Sequence, residues 1–192
     1  DIVLSDANVT ANNLAGQGPG DSEATVIRYS PVGQYGGRPV DLEVWAVGAY
    51  RTAHPEYNGL WGGFGQIGVA DATTAVLDFS FVDAETGLAA RLQKFHMTIF
   101  DVDQQKDPEK HAEALCIDND QFDEFILADT GSEVAVEASD ASCAGVAGAP
   151  STTFRSTAAG FLCDNPTDPL DLGTVACGDC EQCAADEENF GA

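Results

Sequence analysis

The chain has 192 residues, enough for one domain of ordinary size or one domain with a small appended unit, and enough to bury a hydrophobic core. A content of 44% hydrophobic residues, with two Trp and ten Phe, argues against disorder even though 32 acidic residues face only 8 basic ones. The net charge of -24 argues against nucleic acid or an anionic membrane surface as partner, because both repel such a chain at long range; metal ions, basic proteins or simply a salty solvent remain.

In chain order, the first feature is Asn8-Val9-Thr10, an N-glycosylation acceptor pattern that places Asn8 on the surface of a secreted protein, whereas Asn165-Pro166-Thr167 is disqualified by its Pro. The chain starts at Asp1 and has no basic residue or long apolar run before the polar segment 12–21, so the expectation is that any signal peptide has been removed. Helical periodicity is hard to find. Short alternating runs bounded by Gly, Pro, Asn and Asp recur instead, as in an antiparallel β protein. They predict strands over 24–29, 40–47, 64–69, 75–82, 95–103, 112–117, 122–127, 133–138 and 152–156. In 40–47, Leu42, Val44 and Ala46 face one way and Glu43, Trp45 and Val47 the other; in 75–82, Leu77, Phe79 and Phe81 oppose Asp78 and Ser80. The run 95–103 has the strongest pattern, and it leaves His96 as a structural histidine within a strand.

Glycine-rich turns separate these runs at 16–20, 33–37 and 59–65. Tyr57, Trp61 and Phe64 interleave the last of them. They read either as ordinary turn residues or as an aromatic platform for a sugar ring. A phosphate cradle does not fit, because no Gly-x-Gly-x-x-Gly opens a helix here. About nine strands suit a two-layer antiparallel β-sandwich or jelly roll, since an apolar sheet face has to be covered. The predicted architecture is therefore all-β over 1–162, followed by an irregular, acidic, Cys-rich tail over 163–192 that packs on the domain or extends from it.

Six cysteines, Cys116, Cys143, Cys163, Cys177, Cys180 and Cys183, fit three disulfides and an oxidising compartment, extracellular or another oxidising lumen. The expected pairing joins Cys116 to Cys143 and forms two bridges among the other four. The spacing of Cys177, Cys180 and Cys183 also invites comparison with iron–sulfur or zinc ligation, but a fourth ligand at the required spacing is missing. The acids around this cluster disfavour a reactive thiolate.

Asp101 and Asp103 end the predicted strand 95–103 on the same face as Phe95, Met97 and Ile99, where a carboxylate needs a partner. Asp118 and Asp120 follow the strand 112–117. If the two strands are neighbours, the loops at their ends gather four carboxylates, a donor set for Ca²⁺, although neither segment is an EF-hand. The alternative is a solvated acidic face with ion pairs to Lys106, Lys110 or Arg155. Hydrolase and metalloprotease signatures are absent, only His54, His96 and His111 are available, and a glycosidase carboxylate pair carries no specificity among 32 acids. No stretch approaches the roughly 20 apolar residues that cross a bilayer, so membrane insertion is not expected.

Five segments carry a resemblance: Asn12-Asn13-Leu14-Ala15-Gly16-Gln17-Gly18-Pro19, Phe79-Ser80-Phe81-Val82-Asp83-Ala84-Glu85-Thr86-Gly87, the run 95–104, Phe154-Arg155-Ser156-Thr157, and Asp164-Asn165-Pro166. Across most of the chain the sequence resembles a domain of secreted or cell-surface proteins of diatoms, dinoflagellates and related algae, a family with no settled activity. It departs from that pattern at the end, where the cysteine cluster replaces a further strand. The resemblance implies an extracellular β domain and transfers no catalytic residue. The expected function is a non-enzymatic structural or adhesive module, or a subunit of a larger cell-surface assembly, stabilised by Ca²⁺ at Asp101, Asp103, Asp118 and Asp120. The alternatives are a carbohydrate-binding module using Tyr57, Trp61 and Phe64, and a glycoside hydrolase on the same scaffold.

Overall fold

A computed structural model of the chain describes residues 2–105, 111–128, 131–160 and 168–169. The fold class is all-β, as the alternating runs predict: every strand ladder is antiparallel, and the only helices among the described residues are two single 3-10 turns. The residues cluster into two compact units, with the boundary between Met97 and Thr98.

The first unit contains β1 (Asn8–Asn12), β2 (Val26–Tyr35), β3 (Arg38–Ala46) and β6 (Leu77–Asp83) in one sheet of order β1-β2-β3-β6, together with the hairpin of β4 (Gly59–Trp61) and β5 (Phe64–Gln66). β2 and β3 join through Gly36 and Gly37, with Tyr35 opposite Arg38. Both glycines have positive φ, 61° and 79°, the pair a two-residue primed turn demands and side chains resist. Leu42 lies opposite Phe81, Val44 opposite Phe79 and Ala46 opposite Leu77, so the predicted apolar faces of β3 and β6 coincide. That face joins Leu14, Ile27, Tyr29, Val32, Val40 and Tyr50 in the core. Full burial stabilises by about 1.5–3 kcal/mol for each large aliphatic side chain.

The opposite face of β3 is drier than its polarity predicts, since Asp41 and Glu43 are both buried. Glu43 is held by an ion pair to Arg28, its neighbour across the β2–β3 ladder. The Asp41 carboxylate keeps one oxygen, Oδ1, without a hydrogen-bond partner.

The second unit is a three-stranded sheet of order β7-β9-β8, built from β7 (Ala114–Asp118), β8 (Val134–Ala141) and β9 (Ala147–Ser156). Its expected disulfide is present: Cys116 of β7 is bonded to Cys143, just after β8, with Cα atoms 5.6 Å apart. Phe154 is buried on the central strand, and Phe125 meets its ring edge-on at 5.1 Å, with Phe122 behind Phe125 at 6.2 Å.

Several expectations need correction. The run 95–103 forms no ladder, and Phe95, Met97 and Ile99 are about half exposed. Its backbone turns at Asp101, whose φ of 62° is incompatible with a continuing strand, so Asp101 and Asp103 do not inherit a face by alternation from Phe95. His96 accordingly lies exposed rather than packed within a strand. The run 122–127 is a loop that supplies aromatic contacts, and the predicted strand 64–69 contracts to three residues. Two short strands, β1 and β4, arise where none was expected. Cys163, Cys177, Cys180 and Cys183, like all of the tail 163–192 apart from residues 168–169, lie outside the described residues.

Candidate functional site

The segment 54–68 gathers the three aromatic residues singled out from the sequence. Pro55 opens a 3-10 turn that ends at Tyr57, and β4 follows directly and packs against it. The hairpin then reverses through Gly62 and Gly63, with Gly62 at a φ of 56°. This turn places Trp61 directly opposite Phe64, and because residues paired across a ladder point to the same side, the two rings share one face of the hairpin. His54 stacks on Tyr57 with ring centroids 4.9 Å apart and planes inclined by 23°, and its Nδ1 lies 3.1 Å from Oε1 of Glu56.

Buried polar groups fix this presenting element to the first unit. The Tyr29 hydroxyl donates to the Gly59 carbonyl at 2.8 Å. The Tyr50 hydroxyl donates to the Gly68 carbonyl at 2.6 Å and accepts from Asn58 Nδ2 at 3.0 Å. Asn58 Oδ1 in turn accepts the Gly68 N–H at 2.8 Å, and Asn12 Nδ2 donates to the Asn58 carbonyl at 2.7 Å. Burial raises both phenol pKa values; for Tyr50 that desolvation outweighs the opposing hydrogen bonds from Asn58 and Thr52. Both groups therefore stay protonated and serve as donors through the physiological range.

Against this fixed base, Tyr57 is 53% and Trp61 52% exposed. Large aromatics held in the open on an ordered loop offer apolar faces to stack against, with polar edges for hydrogen bonds. Glu56 lies in the same 3-10 turn as Tyr57. Its carboxyl pKa is lowered, first by a backbone hydrogen bond from its own N–H and then by the hydrogen bond from His54; desolvation opposes these, and the His54 charge adds least. His54 and Glu56 were missed by sequence reasoning. The signal for them was a Pro between a His and an acid immediately before the aromatic, glycine-rich stretch.

The four candidate calcium ligands are not brought together. Asp103 accepts the Glu113 N–H on its carbonyl at 3.0 Å, and both Asp103 and Asp101 act on the Glu113 carboxylate. Glu113 stands just before β7, whereas Asp118 ends it. Five strand residues separate the two groups by roughly 16 Å at about 3.3 Å per residue. Asp118 Oδ1 accepts the Cys143 N–H at 2.7 Å, bracing the disulfide, and Asp120 Oδ1 accepts from Gln121 Nε2 at 2.9 Å. Among the described residues no group of three or more His, Cys, Asp or Glu is arranged to hold a metal ion. Asn8 is exposed at the start of β1, an edge strand. No described helix is long and apolar enough to cross a membrane. Neither a protein family, nor a curated protein, nor a solved structure matches the chain.

Proposed function

We propose that this protein is a non-enzymatic, extracellular adhesive module that binds carbohydrate through Tyr57 and Trp61, with Phe64 supporting Trp61 across the hairpin. The observation that carries this reading is the pair of half-exposed aromatic rings on a segment anchored by buried Tyr29, Tyr50 and Asn58. An oxidising compartment is supported by the Cys116–Cys143 bridge, which such compartments preserve. The exposed acceptor Asn8 is compatible with passage through a secretory pathway. The test is a glycan array probed with the full chain and with Trp61→Ala. Loss of one stacking ring removes about 1 kcal/mol, so affinity for the bound glycan should fall roughly five- to tenfold. Glycan binding unchanged by Trp61→Ala would overturn the assignment.

A further inference from the structure

A cleft of about 340 Å³ lies between the end of the β2–β3 hairpin and segment 86–91, and it shares no residue with the aromatic hairpin. That volume falls within the range of ligand pockets, roughly 300–1,000 Å³. Backbone pairing fixes its walls. Tyr35 lies opposite Arg38 across the β2–β3 turn, so their side chains share one side of the hairpin, and Val40 lies opposite Asp83. Segment 88–90 runs antiparallel along β6: the Asp83 N–H donates to the Leu88 carbonyl and the Ala90 N–H to the Phe81 carbonyl, both at 2.8 Å, with Ala89 bridged to Val82. Arg91 follows that pairing directly and lines the cleft.

The two arginines of the cleft differ. Arg38 directs Nε and Nη2 at the Asp83 carboxylate, at 2.8 and 3.1 Å, and Nη2 also reaches Glu85 at 3.3 Å. Arg91 is exposed and makes no ion pair among the described residues, although the chain holds 32 acids against 8 bases. An open guanidinium presents its N–H donors in the fork that matches a carboxylate. Apolar surface adjoins it in the same cleft: Leu88 is 69% and Tyr35 41% exposed, and buried Val40 adds to the lining.

We propose that this cleft binds a small carboxylate with an apolar body, the carboxylate forked on Arg91 and the body against Tyr35 and Leu88. Arg38 offsets Asp83, which would otherwise repel the ligand. One negative charge suits the site. The net charge of -24 repels every anion, and a phosphate or a polyanion sets a larger charge of its own against that field for the same open guanidinium. The carboxylate comes from a free organic acid or from the end of a peptide.

The experiment follows the backbone amide signals of Leu88 and Ala89 and the side-chain Nε–H signal of Arg91 in the full chain by NMR. Four ligands are added in turn: 3-phenylpropionate, its neutral amide, and a tripeptide ending in Phe with its C-terminus free or amidated. The acid of at least one pair should bind about fivefold more tightly than its amide, the upper scale of an exposed ion pair. A preference shown by phenylpropionate assigns a free acid, and one shown by the tripeptide alone assigns a chain end. Arg91→Gln should remove the preference and leave amide binding unchanged, whereas Arg51→Gln, an equal loss of charge outside the cleft, should keep it. Tyr35→Ala should weaken acid and amide alike, by about two- to fivefold. Equal binding of acid and amide in both pairs, or no shift at Leu88 and Ala89 with any ligand, overturns the proposal. So does a preference that survives Arg91→Gln or that Arg51→Gln lowers as much, since the attraction then belongs to the cations of the chain at large.

Discussion

Glu113 stands just before β7, its carboxylate 4.0 Å from His111 Nε2, and its side chain is 46% exposed. Desolvation first, then the charges of Asp103 and Asp101, raise its pKa above the ordinary glutamate value; a backbone N–H bond involving Asp103 and the charge of His111 oppose them less strongly. Folding thus makes this group hold its proton more tightly. Below both the folded and the unfolded pKa the carboxyl is neutral in each state and nothing is lost. As pH rises through the unfolded value and then the folded one, ionisation destabilises the native state. Glu113→Gln should therefore stabilise the protein at neutral pH, by roughly 0.5 kcal/mol once solvent screening of a half-exposed group is allowed for, with the gain vanishing below about pH 4. Urea unfolding at the two pH values measures it, and a variant less stable at neutral pH would contradict the repulsion. Asp83 runs the opposite way. Desolvation raises its pKa, but hydrogen bonds from the Thr86 side chain and backbone, the Arg38 charge and the Glu85 N–H together lower it. Its contribution is present above the ordinary aspartate range and disappears as pH falls through the lowered value. Two carboxylates of one chain thus pull the acid limb of the stability curve in opposite directions, and their neighbours set the sign.

At the scale of elements, the disulfide between β7 and the residues just after β8 closes a loop with a sequence separation of 27. Restricting the unfolded chain over that span stabilises by roughly 3–4 kcal/mol on the loop-entropy account. Replacing both partners, Cys116→Ser with Cys143→Ser, should lower the unfolding free energy by that amount in urea, and a loss under about 1 kcal/mol would mean that Asp118 and the β7-β9-β8 ladders hold the loop without it. Cys116 and Cys143 were readable as a pair because the other four cysteines crowd the end of the chain. The ladders were readable wherever alternation reflects a one-sided core, as with Leu42, Val44 and Ala46 against Leu77, Phe79 and Phe81. Alternation reports an extended backbone and says nothing about a pairing partner, which is why Phe95, Met97 and Ile99 suggested a strand that no neighbour completes. β1 escaped notice because it offers only Val9 and Ala11 as apolar positions, with a register shift between them, and β4 because Gly59 sits inside what reads as a turn. The recognition residues were visible as loop aromatics. Their order was not, because it depends on Tyr29, Tyr50 and Asn12, which reach segment 58–68 from distant parts of the chain. The carboxylates failed as a four-ligand group for a related reason: residues that end neighbouring segments gather only if the segments end together, and Glu113 and Asp118 mark opposite ends of one strand.

For the molecule as a whole, the excess of acids acts as a distributed load on stability. Among the described residues, Arg28 is committed to Glu43, Arg38 to Asp83 and Glu85, and Arg155 to Glu137 at 3.7 Å. Those pairs neutralise local charge and leave most of the 32 acids to repel one another. At low ionic strength this repulsion reaches about 30 Å, across a domain of this size, whereas in 1 M salt it reaches about 3 Å, less than the spacing of most surface charges. The melting temperature should therefore climb by several degrees between about 0.01 M and about 1 M NaCl. KCl should match NaCl, because screening depends on ionic strength and not on a fitted site. A rise with CaCl₂ well beyond that expected from its ionic strength would instead mark cation binding and should disappear in Asp101→Asn. A melting temperature that falls with NaCl would mean that favourable pairs such as Arg28–Glu43 outweigh the general repulsion. The same screening that steadies the fold should spare the stacking of a sugar ring on Trp61, so salt separates the charge that repels itself from the aromatic face that works in spite of it.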